Sequence, residues 1–228
     1  MLNTHSKFED ILRPDQHVVA KGTILKSEGD NSHSRLYVVE GWLAASKSLE
    51  DGNQQIIDFV LPGETYDPTA IDGKTSFLQL EALCDAVIVS IDKTAWAQLL
   101  QEDLDLRNAE WQRDIAAQAR QSERMLRLGQ ASAETRIAYV LIELCIRVSG
   151  HGAQCDGAFH VPINQQQLGD FTGMSSVHVC RTLRRLNRAG VVKTDDHMDI
   201  LIQDLPALAE LAQVDFVTLR NEITTGAA

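Results

Sequence analysis

Residues 165–190 read QQQLGDFTGMSSVHVCRTLRRLNRAG, and this stretch restricts the fold more than any other part of the chain. Gly169 falls inside a short helical segment, QQQLGDF, with Leu168 directed inward. A glycine there costs about 1 kcal/mol relative to alanine, a cost a helix accepts where another helix crosses close by. Four residues on, Gly173 falls where a three-residue turn needs positive φ. Ser175 or Ser176 then caps a second helix. Its inward face is Val179, Leu183 and Leu186, and its other faces carry His178, Arg181, Arg184 and Arg185. Gly190 stops it, as a C′ residue does. A small residue, a turn glycine four later and a buried valine six after that is helix-turn-helix spacing. The following VVKTDDHMDILI reads as a two-stranded wing with its turn near Asp195-Asp196.

Charge supports this reading. The chain carries a formal net charge of −11 at pH 7, yet residues 163–193 hold Arg181, Arg184, Arg185, Arg188 and Lys193 against Asp170 alone. Positive charge is gathered where a helix must approach phosphates, and the acidic remainder discourages other approaches. The competing reading, a solvated arginine face, leaves the paired glycines, the cap and the wing unexplained.

Upstream the pattern is different. Residues from about 17 to 92 are β-rich: HVVAKGTILKSEGD, RLYVVEGWLAAS, QQIIDFVLPGE, FLQLEAL and AVIVSID are strand candidates. Gly41 marks a bulge or bend, Asp51-Gly52 centres a hairpin turn, and Pro62-Gly63 ends a strand. Many short strands at regular spacing indicate a barrel-like roll or sandwich. The period then becomes helical from Lys93 to about Leu128, with Asp92 as a cap. Within it Trp111, Ile115, Ala119, Ser122 and Leu126 recur at steps of four, four, three and four, a narrow apolar stripe of the kind that faces a second copy. The alternative is a helix packed on its own sensor domain. SAETRIAYVLIELCIRV is a further long helix, with Ser132 as its N-cap.

Several classes are excluded. The N-terminus, MLNTHSKFEDILRPD, has no basic start followed by an apolar stretch, and the most apolar run is too short for a bilayer and contains Glu143. The chain is therefore expected to be cytoplasmic, with no membrane partner. Cys84, Cys145, Cys155 and Cys180 are scattered, which suits a reducing compartment and gives no disulfide framework. Cys145, His151, Cys155 and His160 do not have zinc-site spacing, so no metal is predicted. No nucleophile–base pair or phosphate loop stands at usable spacing, and the chain is not read as an enzyme.

The β-segments KGTIL, YVVEGW and IDFVLPGE, the long connecting helix and QLGDFTGMSSVHVCRTLRRLNRAGVV together resemble the cyclic-AMP receptor/fumarate-nitrate regulator (CRP/FNR) family of bacterial transcription factors, most of all members with a VHV-R-TL recognition helix. The resemblance covers nearly the whole chain. It implies an α+β fold: an N-terminal double-stranded β-roll sensor domain of the cyclic-nucleotide-binding kind over 1–103, a dimerisation helix over 104–130 with the apolar stripe as its interface, and a C-terminal winged helix-turn-helix over 131–228. It also implies a homodimer on two-fold-related half-sites of double-stranded DNA, with RNA polymerase as a partner if the protein activates.

Residue by residue, Ser176, Val177 and Arg181 match the family's main base-contacting positions. Arg181 suits bidentate reading of guanine. Val177 departs from the glutamate that many members carry; valine can touch a thymine methyl, and His178 takes over part of the reading. Ser175, Arg184 and Arg188 suit phosphate. Cys180 is either a half-buried filler or a thiol whose oxidation would add bulk at the DNA surface. In the sensor, PGETYDPTAIDGKTSFLQLEAL lacks the Arg-Ser/Thr pair that holds a cyclic nucleotide's phosphate, and Lys74 is its only cation, a contact for some other effector anion. With no cysteine before Cys84, a four-thiolate iron–sulfur cluster cannot be assembled. No cofactor is predicted, while His17 and His33 leave haem or another small effector open. An alternative reading is a small-molecule-binding roll whose winged domain serves protein contacts.

Overall fold

A computed structural model describes residues 16–70, 73–149, 158–194 and 199–224. The chain divides into two compact units between Glu110 and Trp111.

The first unit is a roll of two four-stranded antiparallel sheets. Its strands are β1 (Gln16–Val19), β2 (Ile24–Lys26), β3 (Ser34–Glu40), β4 (Leu43–Ser48), β5 (Gln54–Val60), β6 (Thr65–Tyr66), β7 (Gln79–Ala82) and β8 (Ala86–Asp92). One sheet has the order β1-β8-β3-β6 and the other β2-β7-β4-β5. Leu36, Val38 and Ile88 from the first meet Leu43, Val60 and Leu80 from the second in a shared core, as alternation along half-buried strands requires. The Asp51-Gly52 turn joins β4 to β5: Gly52 has φ +86°, and the Asp51 carboxylate accepts from Asn53 N at 3.0 Å. Gly41 is the bend between β3 and β4. Its φ is +80°, and a β-carbon there would lie 2.6 Å from Ala86 Cβ.

Asp92 ends β8 and caps helix α1 (Lys93–Glu102), accepting from Thr94 N and Ala95 N. The helical run is broken at Asp103, where the backbone is extended, before α2 (Leu104–Gln130). Trp96 of α1 packs with Val89, Ile91 and Leu106 in a second core. Beside it, Arg35 Nη1 donates to Thr65 Oγ1 and to Glu110 Oε2, both at 2.8 Å, with its guanidinium over the Trp96 ring.

The second unit is built around α3 (Ala133–Ser149), whose residues from Ile137 to Ile146 are all buried. Ser132 Oγ accepts from Thr135 N, the cap expected. Strand β9 (Ala158–His160), α4 (Gln165–Thr172), α5 (Ser176–Arg188), β10 (Val192–Thr194), β11 (Asp199–Ile202), α6 (Leu205–Ala212) and α7 (Phe216–Ile223) follow. The wing has three strands rather than two, in the order β10-β11-β9. Only Phe159 of β9 turns inward; three residues carry too little alternation to declare a strand, and pairing with β11 decides it. The turn near Asp195-Asp196 lies outside the described residues.

Cys84 and Cys180 are free thiols, but Cys145, buried on α3, is disulfide-bonded. This corrects the expectation of reduced, unlinked cysteines: bridging depends on Cα separation in the fold, which spacing along the chain does not reveal.

Candidate nucleic-acid interface

The Asn164 side chain accepts from Gln167 N at 2.8 Å, and the Gln167 side chain accepts from Asn164 N at 2.9 Å. This reciprocal capping box starts α4 and was legible as N-x-x-Q, though the sequence reading passed over it. α4 ends at Gly173, whose φ of +67° is the left-handed cap that glycine supplies without strain. Gly169 is buried, and a β-carbon on it would stand 2.4 Å from the Met174 carbonyl oxygen. The close approach is thus by the turn itself, which carries the chain into α5.

Ser175 is the residue that caps α5; its Oγ accepts from His178 N at 3.4 Å and lies 3.2 Å from His178 Nδ1. Val179, Leu183 and Leu186 are buried, and Thr182 joins them. That anchors one face of α5 and directs the other to solvent. Ser175, Val177, His178, Arg181, Arg184 and Arg188 are exposed, and Ser176 and Cys180 are half-buried. The exposure of Val177, at 56%, is high for an apolar side chain. Arg181 is therefore outside the protein core, as a base-reading role demands.

Arg185 behaves differently from its neighbours. Its Nε donates to Glu134 Oε1 of α3 at 2.8 Å, so its charge is partly neutralised. The partners are 51 residues apart, and no local pattern announces them. In the wing, His160 Nδ1 lies 2.7 Å from Asp199 Oδ1, joining β9 to β11.

Along α2, Trp111, Ile115, Ser122 and Leu126 are exposed and Ala119 is half-buried. Met125, 73% exposed, extends this apolar surface and was missed because it falls between the chosen steps. From Trp111 onward, the residues that α2 buries are Ala116, Arg120, Arg124 and Arg127, an arginine row that a search for apolar stripes cannot find.

In the first unit Lys74 is exposed. Among the described residues, the buried cation of that unit is Lys26, whose Nζ donates to Ser32 Oγ and the Ser34 carbonyl, both at 2.5 Å, and lies 4.0 Å from Asp67. Burial lowers its pKa, against the attraction of Asp67. Lys93 pairs with the same carboxylate at 3.2 Å. Among the described residues no group of three or more His, Cys, Asp or Glu could hold a metal, and no helix is long and apolar enough to cross a membrane.

Comparison with known proteins agrees with this architecture. Residues 16–103 match the cyclic nucleotide-binding domain and residues 135–211 the Crp-like helix-turn-helix domain. The chain is 28% identical over 211 residues to the nitrogen fixation regulation protein FixK of Azorhizobium caulinodans, covering 89% of this chain and 84% of that one. It is 25% identical over 199 residues to the transcriptional activator protein FnrA of Stutzerimonas stutzeri, covering 84% and 78%. The structure of FixK2 from Bradyrhizobium japonicum has the same fold, with a TM-score of 0.75 at 23% identity over 86% of this chain and 96% of that chain. The two matched domains in this order, with relatives of the FixK and FnrA kind along most of the chain, place it in the CRP/FNR family of DNA-binding transcription regulators.

Proposed function

We propose that the protein binds two-fold-related half-sites of double-stranded DNA as a homodimer. The observation that carries this is the division of α5: Val179, Leu183 and Leu186 are buried, while Val177, His178 and Arg181 are exposed on a helix free of acidic side chains. Ser176, Val177, His178 and Arg181 read base edges. Arg181 serves as the bidentate guanine reader and Val177 meets a thymine methyl. Ser175, Arg184 and Arg188 contact phosphate and fix the register. Trp111, Ile115, Ala119, Ser122 and Leu126 form the dimer seam, supported by exposed large apolar side chains along one helix. An activating regulator would in addition meet RNA polymerase.

The effector is not a cyclic nucleotide. Where the family's arginine would hold the phosphate stands Lys74, exposed and followed by Thr75. The buried Lys26 is already engaged by Asp67, Ser32 and Ser34. A buried phosphate would lack a bidentate partner there. The Lys74 ammonium, exposed at the surface of the roll, is the contact for a different anion. The lack of any cysteine in residues 1–83 speaks against a four-thiolate cluster. Cys180, a half-buried free thiol next to Arg181, is placed to weaken base reading when oxidised.

Selection of bound DNA from a random library tests the reading. The expected product is a two-fold symmetric site whose half-sites are about one helical turn apart, roughly 34–36 Å. Recovery of DNA without any shared sequence, or with a single unrepeated half-site, would contradict it.

A further inference from the structure

Just after β6, in the first unit, Asp67 stands between two cations. Its Oδ1 lies 4.0 Å from Lys26 Nζ and its Oδ2 lies 3.2 Å from Lys93 Nζ. The Thr69 hydroxyl donates to the same carboxylate and accepts from Lys93. The Lys26 and Asp67 side chains are 7% and 14% exposed, and that of Lys93 24%. An ion pair in open solvent would contribute little. Here water reaches the three groups poorly, so an ammonium left without a counter-charge would be costly.

The surrounding groups leave Asp67 to serve both lysines. The other acceptors of Lys26, Ser32 Oγ and the Ser34 carbonyl, are neutral, as is the Gly73 carbonyl, which accepts from Lys93 at 3.4 Å. Among the described residues no second carboxylate pairs with either lysine. Glu110, the nearest acid of the adjoining cluster, is taken by Arg35 at 2.8 Å. The stretch that carries Asp67 also touches two helices. Two residues before it, Thr65 Oγ1 donates to Glu110 Oε2 of α2 at 2.9 Å. Two residues after it, Thr69 meets Lys93, the first residue of α1. The Pro68 carbonyl accepts from Phe77 N, and Ala70 N donates to the Thr75 carbonyl, both at 2.8 Å, which closes the stretch on residues 73–77.

We propose that Asp67 is a built-in anionic ligand of the roll: its carboxylate fills the cation site formed by Lys26 and Lys93 and holds residues 65–69 against α1 and the start of α2 without an effector. The site is an anion site by its chemistry, two ammonium groups and a hydroxyl converging on one carboxylate, and the chain supplies the anion itself. An anion from solution is therefore kept out of it, and one that binds the roll stays at the surface, where Lys74 is exposed. The inference does not depend on the DNA-reading assignment.

Thermal melting of the full chain at fixed ionic strength, with formate replacing chloride, tests the inference. Asp67→Ala removes the carboxylate and leaves a gap of formate's size and charge. Without formate the variant should melt about 5 °C or more below the wild type. With formate several-fold above its Kd it should recover about 2–4 °C, while the wild type, its site already filled, does not respond. Asp67→Asn keeps the shape without the charge, so it should melt low and gain nothing from formate. If Asp67→Ala fails to fold, the Tm loss from Asp67→Asn is measured again in a Lys93→Met background. It should shrink at least by half there, because one of the cations it would leave unpaired is gone. The same formate response in wild type and Asp67→Ala, no recovery in a folded Asp67→Ala, or fully additive losses from Asp67→Asn and Lys93→Met would each overturn the inference.

Discussion

Gly169 and Met174 approach more closely than any side chain between them would permit: a β-carbon on Gly169 would lie 2.4 Å from the Met174 carbonyl oxygen. That oxygen is backbone and cannot rotate away, so the contact fixes how the turn seats α5 on α4. Gly169→Ala is expected to destabilise the second unit by about 1–3 kcal/mol, the usual range for overpacking. Gly129 of α2 is the control, because nothing lies within 4 Å of a β-carbon built there. Gly129→Ala should stabilise by about 0.5–1 kcal/mol. Melting curves of the two variants should therefore move in opposite directions.

Arg185 and Arg184 are adjacent in sequence but differently employed. Arg185 is held by Glu134; Arg184 is exposed and, in the proposed interface, neutralises a phosphate. Each phosphate contact on B-DNA contributes about 0.9 to the slope of log K against log salt. In a homodimer each substitution removes two contacts, so Arg184→Ala and Arg188→Ala should each lower the slope by about 1.8, and Arg185→Ala by much less. Binding isotherms over a series of salt concentrations check this.

Leu126→Asp places a charge in the exposed stripe of α2. It should weaken self-association about tenfold or more, corresponding to 1.4 kcal/mol, without lowering helical content. Sedimentation at micromolar concentration distinguishes dimer from monomer, and an unchanged dimer would remove this stripe from the interface.

The helix caps predict an acid limit. Bonds from Ala95 and Thr94 N–H hold the Asp92 carboxyl below its ordinary pKa of 3.8, and a bond from Thr218 N–H does so for Asp215. A depressed folded-state pKa gives stability that is complete above the unfolded value and is lost as pH falls through the folded one. The contribution should thus be full well above pH 3.8 and be lost progressively as pH falls from there through the lower folded-state pKa. Asp92→Asn and Asp215→Asn should flatten the acid limb of stability against pH, which denaturant midpoints between about pH 5 and pH 2.5 would measure.

Local features were legible in the sequence because local rules govern them. Gly173 and Gly52 have the positive φ that their turns need, Asp92 and Ser132 cap the helices they precede, and Val179, Leu183 and Leu186 are buried at helical spacing. Features that depend on distant partners were not legible. The Glu134–Arg185 pair, the β9 edge of the wing and the linked state of Cys145 arise from tertiary proximity. The arginine row on the buried face of α2 escaped notice because a polar inward face inverts the pattern by which helices are read. The choice between Ser175 and Ser176 as cap needed the geometry itself.

The central claim is that the exposed Arg181 guanidinium reads base edges. Its most direct test is to measure binding of wild type and Arg181→Ala to a selected operator and to unrelated DNA of equal length at one salt concentration. The account predicts that the variant loses about 1–3 kcal/mol of discrimination for each half-site, while its weak, salt-dependent binding to unrelated DNA stays close to that of the wild type. Discrimination left unchanged in a folded Arg181→Ala protein would contradict the account.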